Sequence, residues 1–130
     1  MKHLATSLLF FLAFGFNLVS CKKSEGKDSS LLTPEELALK QTELVIIDVR
    51  TPAEFESGHL ENAVNINFFA PDFKDQLENL DKTQPVSVYC KVGGRSAKAA
   101  EVMKDMGFEE VYDLEGGIRN WKKKGKKIVK

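Results

Sequence analysis

Cysteine is scarce in this sequence, since only Cys21 and Cys90 occur in 130 residues. Two cysteines cannot build a disulfide framework, and no zinc motif of the Cys-x-x-Cys type is present. Gly93-Gly94 and Gly116-Gly117 are pairs without the spacing of a dinucleotide fingerprint, and a phosphate-loop lysine is missing. We therefore predict no metal site and no cofactor, and a function that depends on the side chains of the chain itself.

Charge is balanced over the whole chain but divided along it. From Leu31 to Trp121, 17 acidic side chains stand against 9 basic ones, whereas Lys122 to Lys130 contains six lysines and no acid. A basic face with interleaved aromatic residues is absent, which argues against nucleic-acid binding. We expect the basic tail to be a solvated end, and contact with anionic lipid headgroups is the alternative.

A single long hydrophobic run is present, and it lies at the N-terminus. Leu4 to Val19 is mostly apolar and follows Lys2 and His3, which is typical of a signal peptide over residues 1–20. The run is shorter than the ~20 residues that a spanning helix needs, although a retained transmembrane helix is the alternative. No apolar residue occurs from Lys22 to Ser30, so we predict a flexible tether over residues 21–30.

Residues 31–130 are long enough for one core and are predicted to form one α/β domain. Aliphatic and β-branched runs predict strands at 44–49, 63–66, 85–89 and 111–114. Helices are predicted at 34–40, 51–58, 72–80 and 97–106, with a last one ending at Trp121. Alternating strands and helices imply a parallel sheet with helices on both faces, where ligands bind beyond the carboxyl ends of the strands.

Most of the chemistry is carried by the segment Cys90-Lys91-Val92-Gly93-Gly94-Arg95-Ser96. Its thiol lies between a predicted strand and a predicted helix, where free amides and the helix dipole favour negative charge. We expect both glycines to adopt positive φ and to turn their amides inward. The lysine and the arginine would add positive charge beside the sulfur, and the valine an apolar rim. The segment predicts a thiolate in an anion-binding cradle.

This segment resembles the active-site loop of the rhodanese family, whose single-domain members read Cys, two variable residues, Gly, one variable residue, Arg, Ser. Two further segments match in the same order, Asp48 to Leu60 before the loop and Leu114 to Trp121 after it. Asn62 departs from a family glycine, but asparagine tolerates left-handed backbone. The resemblance implies a single rhodanese-like domain with a five-stranded, mostly parallel sheet in the order 1-5-4-2-3.

The resemblance also implies a sulfurtransferase. The Cys90 thiolate would take the outer sulfur of thiosulfate or a similar anionic donor, and cyanide or a thiol would remove it from the resulting persulfide. The candidate substrate-binding residues are Lys91, Val92, Gly93, Gly94, Arg95 and Ser96. Cysteine-dependent phosphatases need five residues between Cys and Arg, and four are present here, which disfavours that alternative. A non-catalytic sulfur carrier or docking module is the other alternative.

Several polar residues have roles that the sequence leaves open. Asp48 and Arg50 follow a predicted buried strand, and we interpret them as a hydrogen-bonded pair that supports the site, with a substrate contact as the alternative. His59 is interpreted as a structural turn residue in preference to a general base. Ser96 either contacts the sulfur or caps the following helix.

The segment Leu18-Val19-Ser20-Cys21 resembles the bacterial lipobox, in which the cysteine becomes the lipid-modified first residue. The resemblance implies an exported protein, anchored through Cys21 to a bacterial membrane and facing the periplasm or the cell exterior. Cys90 is then a lone thiol in an exported chain, which reactivity explains better than packing. The sequence indicates no protein partner.

Overall fold

The computed structural model describes residues 30–130. The signal peptide, Cys21 and the tether up to residue 29 lie outside the described residues, so what was predicted for them stays a prediction. The described strands are β1 (Leu31–Leu32), β2 (Val45–Asp48), β3 (Val64–Asn65), β4 (Val86–Tyr89) and β5 (Val111–Leu114). The described helices are α1 (Pro34–Lys40), α2 (Pro52–Glu56), α3 (Phe73–Glu78), α4 (Gly94–Asp105) and α5 (Gly117–Lys123). None of these helices is long and apolar enough to cross a membrane.

The five strands form one sheet in the order β1-β5-β4-β2-β3, and every pair of neighbours runs parallel. This confirms the order that the family resemblance implied. The residue pattern had not predicted β1, because a strand of two residues shows no periodicity. Its place at the sheet edge comes from pairing with the last strand, in which Leu31 lies beside Asp113.

The core lies on both faces of the sheet because successive strand residues point to opposite sides. Ile47 and Val88 belong to the cluster that packs under α3 and α4, whereas Ile46 and Tyr89 belong to the cluster under α1 and α5. The two central strands are therefore covered on both faces, which explains their nearly continuous apolar sequences. Every side chain of β4 is buried.

Capping residues explain where α1 begins. The hydroxyl of Thr33 accepts a hydrogen bond from the Glu36 N–H at 3.2 Å, and the Glu36 carboxylate accepts one from the Thr33 N–H at 2.8 Å. Pro34 occupies the first turn, where its missing N–H costs nothing. The predicted start and end of this helix are confirmed.

The predicted start of α4 at residue 97 is wrong, because the helix begins three residues earlier, at Gly94. Gly93 alone has the left-handed φ of +127° that was expected of both glycines, and Gly94 is already helical. The Gly93 carbonyl accepts the Ala97 N–H at 3.1 Å and so provides the first helical hydrogen bond. The turn of the loop thus rests on one glycine.

The C-terminal segment is not the solvated end that the sequence suggested. Val129 exchanges two backbone hydrogen bonds of 2.9 Å with His59, and the Trp121 indole donates to the Lys127 carbonyl at 2.8 Å. Ile128 packs against the core cluster under α5. The segment returns to the domain through backbone and apolar contacts, and most of its lysines stay exposed.

We expect Tyr89→Phe to destabilise the domain by roughly 1–3 kcal/mol, since it leaves a buried N–H without its acceptor. The fully buried Tyr89 hydroxyl accepts the Leu60 N–H at 3.1 Å. Burial, reinforced by the charge of Asp48, raises the pKa of Tyr89 above its ordinary range, so the hydroxyl stays neutral. Urea unfolding of the variant measures the loss.

Tyr112→Phe is the matched control, because the Tyr112 hydroxyl contacts only an exposed carboxylate, Glu110, at 3.3 Å. Its unfolding free energy should change by no more than about 0.5 kcal/mol. Equal losses in the two variants would contradict the assignment of a buried hydrogen bond to Tyr89.

Candidate active site

The candidate site lies at the carboxyl edge of the two central strands. Cys90 directly follows β4, and Arg50 follows β2 by two residues. The strands are parallel neighbours in which Asp48 lies beside Tyr89. The two predicted groups of site residues therefore meet at one edge of the sheet, where the loops after neighbouring parallel strands converge.

Cys90 is 2% exposed, and its sulfur is in contact with its own loop. The Gly93 N–H donates to Sγ at 3.0 Å, and the Ser96 Oγ lies 3.4 Å from Sγ. The Ser96 hydroxyl also contacts the Gly93 carbonyl at 3.2 Å. Ser96 is not the residue that caps α4, since Gly93 holds that position. Of its two predicted roles, the structure places it beside the sulfur.

Opposing effects set the pKa of the Cys90 thiol. Burial by itself raises this pKa, whereas hydrogen bonds from the Ser96 hydroxyl and from the amides of Ser96, Gly93 and Val92 lower it. The sum leaves the pKa of Cys90 below its ordinary value. A lower pKa increases the fraction of thiolate, the nucleophilic form, at neutral pH.

The two loop cations have different surroundings. Lys91 is exposed, and no carboxylate pairs with it within residues 30–130. The Arg95 guanidinium instead forms two hydrogen bonds with the Glu54 carboxylate, at 3.0 and 2.9 Å. These bonds raise the pKa of Arg95 and lower that of Glu54, so both groups are charged at neutral pH. Val92, 45% exposed, supplies the predicted apolar rim.

Glu54 is a site residue that sequence reasoning missed. It lies in the first turn of α2, after β2, and was interpreted only as part of that helix. The sequence did contain a signal for it. Arg95 is a cation in the Cys90 loop and needs an acidic partner, and the segment after the neighbouring parallel strand is the nearest place for one. The consequence is that the Arg95 guanidinium is bound mainly by Glu54, while the charge of Cys90 makes a smaller contribution to its raised pKa.

Asp48 and Arg50 form the hydrogen-bonded pair that was predicted. The Asp48 carboxylate accepts from the Arg50 Nε at 3.0 Å and from its terminal nitrogen at 2.7 Å. The same terminal nitrogen donates to the Gly58 carbonyl at 2.7 Å, which fixes the turn after α2. Burial opposes the guanidinium charge, but the bonds and the charge of Asp48 raise the pKa of Arg50 overall. The pair braces the wall of the site.

His59 takes a structural position. Its ring stacks on Phe55 with centroids 3.7 Å apart, and Nδ1 lies 2.9 Å from the Phe55 carbonyl oxygen. Its backbone pairs with Val129. These contacts agree with the prediction of a turn residue in preference to a general base.

The N-terminus of α5 holds the Cys90 loop in place. The Ile118 N–H donates to the Cys90 carbonyl at 2.9 Å, and the Arg119 N–H donates to the Lys91 carbonyl at 3.1 Å. In a trans peptide the carbonyl and the following N–H point in opposite directions. Holding the Lys91 carbonyl toward α5 therefore turns the Val92 N–H away from α5, to a side from which it helps to lower the pKa of Cys90.

Gly117 permits this close approach of α5 to the Cys90 loop. Its φ is +61°, and a Cβ on it would lie 2.6 Å from the Cys90 oxygen and from the carbonyl group of Lys91. Only glycine fits at this point. The Gly116-Gly117 pair is thus part of the support of the loop as well as a turn.

Comparison with known proteins gives a consistent result. The family model described as "Rhodanese-like domain" matches residues 33–124. The chain is similar to the YqhL protein of Bacillus subtilis, at 34% identity over 88% of this chain and 89% of that protein. It is also similar to a protein named thiosulfate sulfurtransferase GlpE from Coxiella burnetii, at 37% identity over 65% of this chain and 77% of that one.

Two further comparisons place the domain in a wider context. A protein of Onion yellows phytoplasma named tRNA uridine(34) hydroxylase is 37% identical over 81% of this chain, but the match spans only 35% of that longer protein. The crystal structure of a rhodanese-related protein from Thermoplasma volcanium superposes with a TM-score of 0.70 at 28% identity, covering 75% of this chain and 95% of that one. The shared part is therefore the domain itself.

We expect Ser96→Ala to raise the pKa of the Cys90 thiol, because it removes a hydrogen bond that favours the thiolate. The rate of Cys90 alkylation by iodoacetamide, followed by mass spectrometry, should rise with pH through a higher midpoint than in the unmodified chain. Ser87→Ala is the matched control, since the Ser87 hydroxyl is buried in β4 and has no hydrogen-bond partner in the described part of the chain. An unchanged midpoint for Ser96→Ala would contradict the role of this hydroxyl.

Gly117→Ala should displace the Cys90 loop, since its Cβ would overlap two backbone carbonyls. Gly125→Ala is the matched control, because Gly125 has a similar φ of +70° but no atom within 4 Å of the added Cβ. Both variants carry the left-handed strain of about 1–2 kcal/mol, and only Gly117→Ala should lose additional stability and raise the alkylation midpoint. Urea unfolding and alkylation of the same samples measure both effects. Equal changes in stability and in alkylation midpoint for the two variants would contradict the role of Gly117 in holding the Cys90 loop.

Proposed function

The chain belongs to the rhodanese-like domain family, and we propose that it is a sulfurtransferase that carries a sulfane sulfur on Cys90. The observation that supports this proposal most directly is the hydrogen bond from the Gly93 N–H to the Cys90 sulfur at 3.0 Å, with the Ser96 hydroxyl 3.4 Å from the same atom. A sulfur atom that accepts such hydrogen bonds is stabilised as an anion, and the same donors suit the persulfide that would replace it.

The first half-reaction transfers sulfur from the donor to the enzyme. The Cys90 thiolate attacks the outer sulfur of thiosulfate, a new S–S bond forms, and the S–S bond of the donor breaks. Sulfite leaves with the bonding electrons, and a nearby cation would stabilise its negative charge. Lys91, exposed and without a carboxylate partner in residues 30–130, is the candidate to attract the anionic donor and to stabilise the leaving group.

The second half-reaction regenerates the free Cys90 thiolate. The acceptor, cyanide or a thiolate, attacks the outer sulfur of the Cys90 persulfide, and Cys90 leaves as the thiolate that the loop stabilises. A low pKa makes Cys90 a better leaving group, so the same hydrogen bonds serve both half-reactions.

Other functions fit the site less well. Four residues separate Cys90 from Arg95, one fewer than phosphatase loops use, and Arg95 is bound to Glu54 instead of being free to hold a phosphoryl group. The tRNA hydroxylase relative is nearly three times as long as the stretch that it shares with this chain, so its activity is not proposed here. A docking module would not need a polarised thiol. Anchoring through Cys21 at a bacterial membrane stays part of the proposal.

We expect thiosulfate to add the mass of one sulfur atom to the Cys90 peptide of the purified protein. Cys90→Ser should abolish this addition and the release of thiocyanate from cyanide, whereas Cys21→Ser, the matched control, should keep both. Mass spectrometry under non-reducing conditions measures the change.

The absence of any sulfur addition with thiosulfate, polysulfide and persulfide donors would contradict the sulfurtransferase and favour the docking module. Hydrolysis of an aryl phosphate dependent on Cys90 would favour the phosphatase.

A further inference from the structure

A pocket of about 420 Å³ opens beside the Cys90 loop, between α2 and α5. Its lining comprises Arg50, Glu54, Ser57, Lys91, Ile118, Arg119 and Lys122. Cys90 does not line it, but two contacts join the pocket to the loop, because Lys91 follows Cys90 in the chain and the Ile118 N–H binds the Cys90 carbonyl. We call this volume the cationic pocket.

The charges that line the cationic pocket do not cancel. Arg50 is neutralised by Asp48, and Glu54 by Arg95. Three cations are then left, Lys91, Arg119 and Lys122, and none has a carboxylate partner within residues 30–130. Two of them lie three residues apart on α5 and so project from the same side of that helix.

The volume of the pocket matches a small organic molecule and exceeds what an inorganic anion fills. Sites for such molecules measure roughly 300–1,000 Å³ and combine apolar surface with a few charged groups. Ile118 supplies apolar lining here, and the three cations supply the charge. Thiosulfate transfers its sulfur at Cys90 itself and would occupy only a small part of a pocket that lies to one side.

We propose that the cationic pocket binds the carboxylate groups of the thiol that accepts the sulfur. The inference rests on the proposed sulfurtransferase function. An acceptor with carboxylates would place them between Lys91, Arg119 and Lys122 and extend its thiol toward the persulfide. Its thiolate, formed by loss of a proton to water, attacks the outer sulfur, the Cys90 S–S bond breaks, and Cys90 leaves as a thiolate.

The test compares two acceptors that differ in charge, glutathione and glutathione diethyl ester. Sulfur transfer from preloaded Cys90 persulfide to each acceptor is measured at several concentrations in the unmodified chain and in the double variant Arg119→Gln, Lys122→Gln. The preference for glutathione over the ester, as a ratio of kcat/KM, should fall about tenfold in the variant through a higher KM for glutathione, from about two lost charge contacts.

The matched control is the double variant Lys123→Gln, Lys126→Gln. It removes the same charge from the same end of the chain, but neither residue lines the pocket. It should keep the preference of the unmodified chain. A fall of equal size in both double variants would overturn the proposal, because it would trace the preference to overall charge.

Two other results would also overturn it. If the ratio does not change in the Arg119→Gln, Lys122→Gln variant, the pocket does not bind the acceptor. If the KM for thiosulfate rises as much as the KM for glutathione, the pocket serves the anion of the donor instead.

A binding measurement separates this proposal from the proposed function. S-methylglutathione has the carboxylates of the acceptor but no free thiol, so its calorimetric titration into the protein requires no sulfur chemistry. Binding that is lost in the Arg119→Gln, Lys122→Gln variant supports the pocket even if Cys90 forms no persulfide. Persulfide formation without any binding of S-methylglutathione retains the sulfurtransferase and overturns the pocket.

Discussion

The site depends on the two backbone hydrogen bonds that join the start of α5 to the Cys90 loop. They fix the carbonyls of Cys90 and Lys91 on the outside of the turn, and the geometry of the trans peptide then turns the Val92 amide away from α5. In this orientation the Val92 amide adds to the effect of the Ser96 hydroxyl and the Gly93 amide, which lower the pKa of the Cys90 thiol against the effect of burial. A helix that contributes no side chain to the sulfur therefore helps to orient the loop that polarises it.

Ion pairs hold together the other segments at the carboxyl edge of the central strands. Arg50 joins the end of β2 to the turn after α2 through Asp48 and the Gly58 carbonyl, and Arg95 joins α4 to α2 through Glu54. Buried or half-buried charges of this kind are stable when their partners satisfy them. Because these two arginines are used for structure, the cations available to substrates are those on the Cys90 loop and α5.

Local sequence patterns predicted most of the fold, and the features that they missed depend on contacts between residues far apart in the chain. The aliphatic runs located four of the strands, and the capping residues located α1, because those signals lie within a few residues. The pairing of His59 with Val129 and the bonds of Arg95 to Glu54, 41 residues apart, leave no trace in any short window. The loop motif likewise predicted the sulfur cradle but not the α5 residues that support it.

The distribution of charge adds a physical reason for the choice of acceptor. Residues 31–121 carry 17 acidic and 9 basic side chains, and the C-terminal segment adds six lysines, so the net charge of the whole domain is small and does not by itself attract an anion. Lys91, Arg119 and Lys122 concentrate unpaired positive charge on one side of the Cys90 loop. A local field of this kind attracts an anion to one place on a surface whose overall charge is nearly balanced, and it weakens with added salt. A neutral thiol gains nothing from it, and an anionic thiol is drawn to the Cys90 loop, which carries the persulfide.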